Sequence, residues 1–227
     1  MKLYFKLVQA DQTETVETDI TTCIVAGWAG RDLEAIEHHI QELAELGVPR
    51  PSAVPLYYRI ASNQLTQETE VEVVGDGSSG EAEVFIFSHR GQTLISLASD
   101  HTDRKLEAHS VALSKQLCVK PVARDAWAYD DVADHWDELV LRSWIEENGK
   151  TVMYQEGALA QLRHPLDLIQ RHFGQETIPE HSGMTCGTVA AIGGIRSASS
   201  FTMELFDPRR ERSIKHAYTL KILPEIA

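Results

Sequence analysis

The chain of 227 residues is 43% hydrophobic and 24% charged, and its formal net charge is −13 at pH 7. This composition is ordinary for a folded globular protein, and the length suits one sizeable hydrophobic core. The negative charge argues against nucleic acid or an anionic membrane as a partner, because phosphate groups are bound by basic surfaces.

The first half of the chain predicts short strands and one longer helix. Five apolar residues recur at helical spacing between positions 33 and 46. Asp32 is a candidate N-cap for this helix, and Gly47 with the prolines at 49 and 51 ends it. A second, short helix is expected over 102–113. Strands are expected near 3–8, 21–26, 54–60, 68–74, 81–87 and 92–98.

The second half is also rich in predicted strands. Asn148-Gly149 predicts a hairpin between 139–145 and 151–154, because both turn residues tolerate positive φ. A short helix is expected over 165–173, with proline in its first turn and Gly174 after its end. Strands near 184–192, 200–206 and 216–223 close the chain. This order predicts an α+β fold that is mostly β, with a few short helices.

Cysteine usage and the N-terminal residues predict a cytoplasmic protein. Cys23, Cys118 and Cys186 are widely separated and form neither a disulfide framework nor a zinc-binding pattern. Three reduced, mostly buried thiols are expected instead. The N-terminal segment is too short and too interrupted to be the apolar region of a signal peptide, and no apolar run approaches the roughly 20 residues that span a bilayer.

Two carboxylates mark the start of the strand expected at 81–87. Glu81 and Glu83 lie two residues apart, so on a strand both side chains point to the same side. Carboxylates at the mouth of a buried strand are costly unless they are paired or bind a metal. Asp100, after the next strand, would complete a shell of three oxygen ligands with open positions, which suits Mg²⁺ or Mn²⁺.

Two other interpretations of these acids stay open. The alternating glutamates at 68, 70 and 72 show the pattern of a solvated acidic strand face, and an exposed strand start explains Glu81 and Glu83 about as well. The other alternative is a zinc site that combines His101 or His109 with the carboxylates. Nitrogen ligands in four-coordinate geometry would distinguish it.

Further polar residues have patterns that suit catalysis. His39 and Glu42 share a face of the first helix, where a carboxylate can orient an imidazole that activates water. Arg104 can clamp a carboxylate, and Lys115 can neutralise a developing enolate. The glycine of the 187–188 pair lets a backbone approach a ligand. Solvated surface side chains are the competing interpretation of the charged residues.

Seven segments in a fixed order resemble the fumarylacetoacetate hydrolase superfamily over roughly residues 25–223. A Glu-x-Glu pair alone is common, whereas the seven pieces in one order are a much stronger signal. The segments are HHIQEL at 38–43 with GVP at 47–49, VPLYYR at 54–59, the Glu81/Glu83 pair, SDHTDRK at 99–105, LSKQ at 113–116, ENGK at 147–150 and TCGTVAAIG at 185–193.

The resemblance implies a fold and an assembly. The expected architecture is a fumarylacetoacetase C-terminal-like mixed β-sandwich roll in a single domain. Its parts would be N-terminal strands over 1–30, a lid helix over 31–50 and a β-roll core over 51–227. A homodimer is expected.

The resemblance also implies an enzyme that needs Mg²⁺ or Mn²⁺ and acts on a small oxo- or hydroxy-dienoic acid. Members hydrolyse carbon–carbon bonds of acylpyruvates, decarboxylate oxo acids, or hydrate or isomerise dienoates. The metal ligands would be Glu81, Glu83 and Asp100, and the catalytic residues His39, Glu42 and Lys115. The substrate-binding positions would be Arg59, Arg104, Glu107, Gly187 and Thr188.

Some positions depart from the superfamily pattern. Glu107 stands where a substrate-binding glutamine often occurs, Arg59 replaces a lysine, and Val189 replaces a proline. These changes leave the substrate open more than the metal site. A non-catalytic small-molecule-binding or scaffold protein on the same fold is the alternative, because a fold does not fix a function.

Overall fold

The computed structural model describes residues 1–8, 13–45 and 49–226, apart from the side chains of residues 39, 42 and 43. Strands dominate this part of the chain. They are β1 (Lys2–Val8), β2 (Thr13–Asp19), β3 (Thr22–Gly27), β4 (Leu56–Ile60), β5 (Leu65–Thr66), β6 (Glu70–Val74), β7 (Ser78–Ser79), β8 (Ala82–His89), β9 (Gln92–Ser99), β10 (Thr102–Asp103), β11 (Lys120–Pro121), β12 (Asp125–Ala128), β13 (Val140–Glu147), β14 (Lys150–Ala158), β15 (Ser182–Thr188), β16 (Ser200–Asp207) and β17 (Arg212–Leu223).

Short helices lie between the strands. The α-helices are α1 (Leu33–Glu45), α2 (Arg104–Glu107), α3 (Val111–Leu117) and α4 (Pro165–Phe173). Single 3₁₀ segments occur at Ser62–Gln64, Tyr129–Asp131, Ala133–Glu138 and Leu159–Gln161. No helix among the described residues combines the length and the apolar character needed to cross a bilayer.

Two large sheets form the body of the described chain. The larger has the strand order β2-β1-β12-β9-β8-β15-β3-β4, and the smaller has the order β14-β13-β16-β17-β6. Most neighbours are antiparallel, but β1 with β12, β3 with β15 and β6 with β17 are parallel. The mixed, mostly β fold predicted from the sequence is therefore confirmed.

The larger sheet curls until distant strands of the same sheet touch. Phe5 on β1 stacks on Phe87 on β8 with ring centroids 4.4 Å apart, although β12 and β9 lie between these two strands. Neighbouring strands are spaced about 4.8 Å apart, so this contact requires strong curvature. Apolar side chains inside the curl form one of the two hydrophobic clusters.

β8 is buried on both faces. Phe85 and Phe87 belong to the cluster inside the curl, whereas Val84 and Ile86 belong to a second cluster that includes Leu141 of the smaller sheet. A strand enclosed on both sides is held by packing along its whole length. The residues at its start are therefore fixed in position.

Two local predictions match the structure closely. Asn148 and Gly149 have φ values of 52° and 72° and join β13 to β14 as a hairpin. α4 spans the predicted residues, and Gly174 ends it in the left-handed region at φ 72°. Both features depend on local backbone chemistry, which the sequence carries directly.

The helix predicted over 102–113 is wrong as a single element. Thr102 and Asp103 form a short strand, α2 ends at Glu107, and α3 is a separate helix. The Ser110 hydroxyl accepts a hydrogen bond from the Leu113 amide at 3.2 Å. A serine N-cap starts a new helix at this point, so the two helices are not continuous.

Other differences concern strand ends and short strands. β2 and β12 were not predicted, because β2 is a polar edge strand and β12 has four residues. The strand expected over 184–192 ends at Thr188.

The close approach of β15 to β8 gives a first prediction. A Cβ at Gly183 would overlap the ring of Phe85. We expect G183A to destabilise the protein by about 1–3 kcal/mol, the usual cost of overpacking a core, as measured by urea unfolding. F85L should recover part of the loss in the double variant. Strictly additive effects of the two substitutions would contradict this account.

Candidate metal centre

The three carboxylates singled out in the sequence come together in the structure. Glu81 precedes β8, Glu83 is the second residue of β8, and Asp100 follows β9. β8 and β9 are antiparallel neighbours, and the Asp100 amide donates a hydrogen bond to the Glu81 carbonyl at 2.9 Å. One ligand oxygen from each of the three side chains lies within 4.8 Å of the others. The hairpin thus brings together acids far apart in sequence.

Each carboxylate has one oxygen in contact with a protein cation or amide other than Lys115. These contacts are Arg104 Nη2 to Glu81 Oε1 at 2.9 Å, Lys120 Nζ to Asp100 Oδ1 at 2.8 Å, and the Gly187 amide, which donates to Glu83 Oε2 at 2.9 Å.

Lys115 bridges two of the acids from α3. Its ammonium lies 2.5 Å from Asp100 Oδ2 and 3.3 Å from Glu81 Oε2. Burial by itself would lower the pKa of Lys115, but the charges of Asp100 and Glu81 outweigh burial and raise it well above the usual value. The side chain is therefore a permanent cation beside the three carboxylates.

The acids respond differently to this environment. Burial, together with the charges of Asp100 and Glu81, raises the pKa of Glu83 to about 8. Burial also acts to raise the pKa of Asp100, but the ammonium groups of Lys115 and Lys120 lower it to about 2. Three close carboxylates cannot all be ionised cheaply without more positive charge. A divalent cation would supply that charge.

The donor set fits a hard cation. Among the described residues, the group close enough to hold a metal consists of three carboxylates and no nitrogen or sulfur donor. Oxygen ligands of this kind suit Mg²⁺ or Mn²⁺.

His101 and His109 give no support to the zinc alternative. His101 Nδ1 lies 3.0 Å from the Tyr218 hydroxyl, and Nε2 lies 2.9 Å from Ser78 Oγ. Burial lowers the pKa of His101 to about 3, so the ring is neutral and both nitrogens are used in these hydrogen bonds. His109 is exposed. Neither imidazole completes a site with the carboxylates.

Arg104 lies at the centre, where its guanidinium contacts three protein groups. Nε donates to Ser79 Oγ at 2.7 Å, and Nη1 donates to Glu107 Oε2 at 2.8 Å. Nη2 lies 2.9 Å from Glu81 Oε1 in an ion pair, without hydrogen-bond geometry. This arrangement positions Glu81, and the binding of a substrate carboxylate by Arg104 stays a prediction.

Gly187 and Thr188 support β8. Gly187 has φ 91°, and a Cβ there would lie 2.8 Å from the Ala29 Cβ, so glycine is required for this close approach. The Thr188 hydroxyl donates to the Ala82 carbonyl at 2.8 Å. Both residues therefore hold the strand that carries Glu83, and their predicted role in substrate binding stays a prediction.

Arg59 is not brought to the centre. It is exposed on β4, and its guanidinium donates to the Thr21 carbonyl at 2.9 Å. Side chains alternate along a strand, so the neighbouring Tyr58 is the buried residue, and its hydroxyl accepts a hydrogen bond from Trp28 Nε1 at 3.3 Å. Arg59, which replaces the lysine of the superfamily pattern, therefore faces solvent.

His39 and Glu42 belong to α1, but their side chains lie outside the described residues. Their proposed dyad stays a prediction.

Sequence reasoning missed Lys120. Its side chain is completely buried, with Nζ beside Asp100 and donating to the His101 carbonyl at 2.6 Å. A signal was present, because a single lysine interrupts the apolar run from Val119 to Val122. Buried lysines are rare unless they are paired, so such a residue indicates a partner elsewhere in the fold.

The fold of this protein is similar to that of several solved structures. Solved structures with the same fold include Cg1458, at a TM-score of 0.64 and 12% identity over 95% of this chain and 86% of that chain. A hexagonal crystal form of 2-keto-3-deoxyarabinonate dehydratase has a TM-score of 0.65 and 14% identity over 96% of this chain and 79% of that chain.

A structure of 2-keto-3-deoxy-D-arabinonate dehydratase complexed with magnesium and 2,5-dioxopentanoate is also similar, at a TM-score of 0.60 and 15% identity over 96% of this chain and 79% of that chain. Identities this low show a shared fold only. By its sequence, the chain belongs to a family described as a protein of unknown function, DUF2848, which matches residues 26–218. No curated protein sequence matches it significantly.

The geometry of the acids predicts the effect of removing one of them. We expect E83Q to weaken Mn²⁺ binding, measured by calorimetry, by more than the roughly 10-fold that loss of an outer-shell partner costs. Thermal stability without added metal should be unchanged or higher, because the substitution removes repulsion between neighbouring carboxylates.

Glu204 provides a matched control for E83Q. It is a buried glutamate on β16, and its partners Ser213, Lys215 and Arg142 all lie in the smaller sheet. E204Q should bind Mn²⁺ as the wild type does. Equal Mn²⁺ affinity of wild type and E83Q would remove Glu83 from the ligand set.

Proposed function

We propose that this protein is a divalent-metal-dependent enzyme of the fumarylacetoacetate hydrolase type that acts on a small oxo acid. The observation that carries the proposal is the trio of carboxylate oxygens within 4.8 Å of one another, at a centre where each side chain also contacts a protein cation or amide. The fold neighbour complexed with magnesium and a dioxo acid supports the same class of chemistry.

The proposed metal ligands are Glu81, Glu83 and Asp100. A Mg²⁺ or Mn²⁺ ion held there would polarise the substrate's oxo group and stabilise enolate charge. Lys115 lies against two of these acids, so a substrate bound at the centre comes within reach of its ammonium. Because its pKa is raised, Lys115 would act as a cation that donates a hydrogen bond to the enolate oxygen, and not as a base.

The proposal covers several reactions that share an enolate. Hydrolysis of an acylpyruvate releases an enolate when a carbon–carbon bond breaks, and decarboxylation of an oxo acid does so when carbon dioxide leaves. Hydrolysis also needs an activated water molecule, and His39 oriented by Glu42 is the proposed base. Decarboxylation or isomerisation needs that dyad less, because neither reaction adds water to the substrate.

The proposed assembly is a cytoplasmic homodimer whose 31–50 segment acts as a lid over the 51–227 core. Three free cysteines without a disulfide support the reduced compartment. α1 within the lid segment carries His39 and Glu42, which places the dyad on the element that would close.

Lys115 offers a direct test of the enolate role. We expect K115M to lower kcat by about 10²-fold, because a preorganised donor to developing charge is lost. Steady-state kinetics with acetylpyruvate and oxaloacetate at saturating Mg²⁺ would measure this. The exposed Lys105, paired with Asp76 at 3.1 Å, gives the control variant K105M, which should retain wild-type kcat. An unchanged kcat in K115M would exclude Lys115 from the mechanism.

Substitution of His39 on α1 tests which type of reaction the enzyme catalyses. We expect H39A to abolish hydrolysis of acetylpyruvate while keeping Mn²⁺ affinity, because His39 is not a proposed ligand. Loss of oxaloacetate decarboxylation should be smaller. H38A, on the same helix, is the control. Equal activities of wild type and H39A on every substrate would refute the dyad, and Mn²⁺ binding without turnover of any oxo acid would favour the non-catalytic alternative.

A further inference from the structure

Lys120 places a buried cation behind the metal centre. Its side chain is completely buried, and its ammonium contacts Asp100 Oδ1 at 2.8 Å and donates to the His101 carbonyl at 2.6 Å. Lys115 contacts the other oxygen, Oδ2, of the same carboxylate. Asp100 is thus enclosed between two ammonium groups, one on each oxygen.

The charges at the centre can be counted from these contacts. Four acids, Glu81, Glu83, Asp100 and Glu107, face three cations, Lys115, Lys120 and Arg104. With all of them ionised the centre carries one net negative charge. A divalent cation changes this to one net positive charge. One substrate carboxylate then neutralises the centre, whereas a second would leave a negative charge without a partner.

In the described part of the chain, the cation beside Glu107 is Arg104, which is already paired with two carboxylates. Side-chain exposure is 27% at Glu107 and 15% at Arg104, against 9% at Lys115 and 0% at Asp100, so the centre opens toward Glu107. Around the centre, in the part of the chain that the structure describes, each cation is already paired with a carboxylate. A second substrate carboxylate would lie near Glu107, and an unpaired charge in a partly buried site is costly.

We propose that Lys120 sets the net charge of this centre and thereby makes it favour oxo acids with a single carboxylate over dicarboxylates such as oxaloacetate. The inference rests on the proposed function, because it assumes a divalent cation bound by Glu81, Glu83 and Asp100. Lys120 acts through Asp100 and does not itself touch the substrate. Its influence on ligands is electrostatic, so it scales with the charge of the ligand.

Two oxo acids with the same five-carbon chain test the selectivity of the wild type. 2-Oxopentanoate has one carboxylate and 2-oxoglutarate has two. We expect the Mn²⁺-loaded protein to bind 2-oxopentanoate about tenfold or more tightly than 2-oxoglutarate in calorimetric titrations, because of the unpaired second charge. Equal affinities, or a preference for 2-oxoglutarate, would overturn the inference.

Two variants should shift the affinity for 2-oxoglutarate in opposite directions. K120M removes a cation, so Mn²⁺ should bind more tightly, while 2-oxopentanoate binds about tenfold and 2-oxoglutarate about hundredfold more weakly. E107Q removes a negative charge at the opening, so 2-oxoglutarate should bind about tenfold more tightly and Mn²⁺ slightly more weakly. The control is K221M, at an exposed lysine paired with Glu72 at 2.8 Å. It should leave the affinities for Mn²⁺ and for both oxo acids unchanged.

The directions of these affinity changes distinguish an electrostatic role of Lys120 from a structural one. If Lys120 only stabilises the fold, K120M will weaken the binding of Mn²⁺ and of both oxo acids by similar factors, and the inference is wrong. If K120M does not fold, the wild-type selectivity and the E107Q shift decide the matter. A wild type that binds no Mn²⁺ refutes the proposed function and this inference together. A wild type that turns over oxo acids but prefers 2-oxoglutarate refutes this inference alone.

Discussion

The ion pairs around Asp100 are the constraint on which the rest of the centre depends. A completely buried carboxylate is stable only if nearby cations compensate for its lost hydration. Asp100 has two such cations, Lys115 from α3 and Lys120 from β11. The segment that follows β9 must therefore fold back over the end of that strand. The path of the chain between residues 100 and 120 is tied to this one side chain.

The enclosed strand β8 gives the centre its rigidity. Its side chains pack into two clusters on opposite faces, and Gly183 and Gly187 of the neighbouring strand allow close approach to it and to Ala29. A ligand set built on such a strand keeps its geometry without a bound ion, because packing fixes the backbone that carries Glu83. The Gly187 amide then orients the Glu83 carboxylate directly.

The fold is shared with solved structures whose sequences are 12–15% identical, so the shared architecture leaves the reaction open. Around the acids of this chain, Glu107 engages the guanidinium of Arg104, and Lys120 places a cation behind Asp100. In our proposal, these charges affect which anions the centre accepts.

The sequence by itself determined the local features. Residue alternation put Glu81 and Glu83 on one side of a strand, and turn and cap residues fixed the hairpin at Asn148-Gly149 and the ends of α4. The mostly β character followed from the same patterns. The polar edge strand β2 and the short β12 escaped prediction, because their residues carry little hydrophobic periodicity.

Only the tertiary structure decided which charges meet. Gly187 and Glu83 are 104 residues apart, and no local pattern links them. The roles of Lys120 and Arg104, and the outward position of Arg59, follow from how helices and strands pack around the end of β9. Local periodicity reports which face a side chain occupies. Ion pairs depend on which faces come together, and that is settled by the packing of the whole chain.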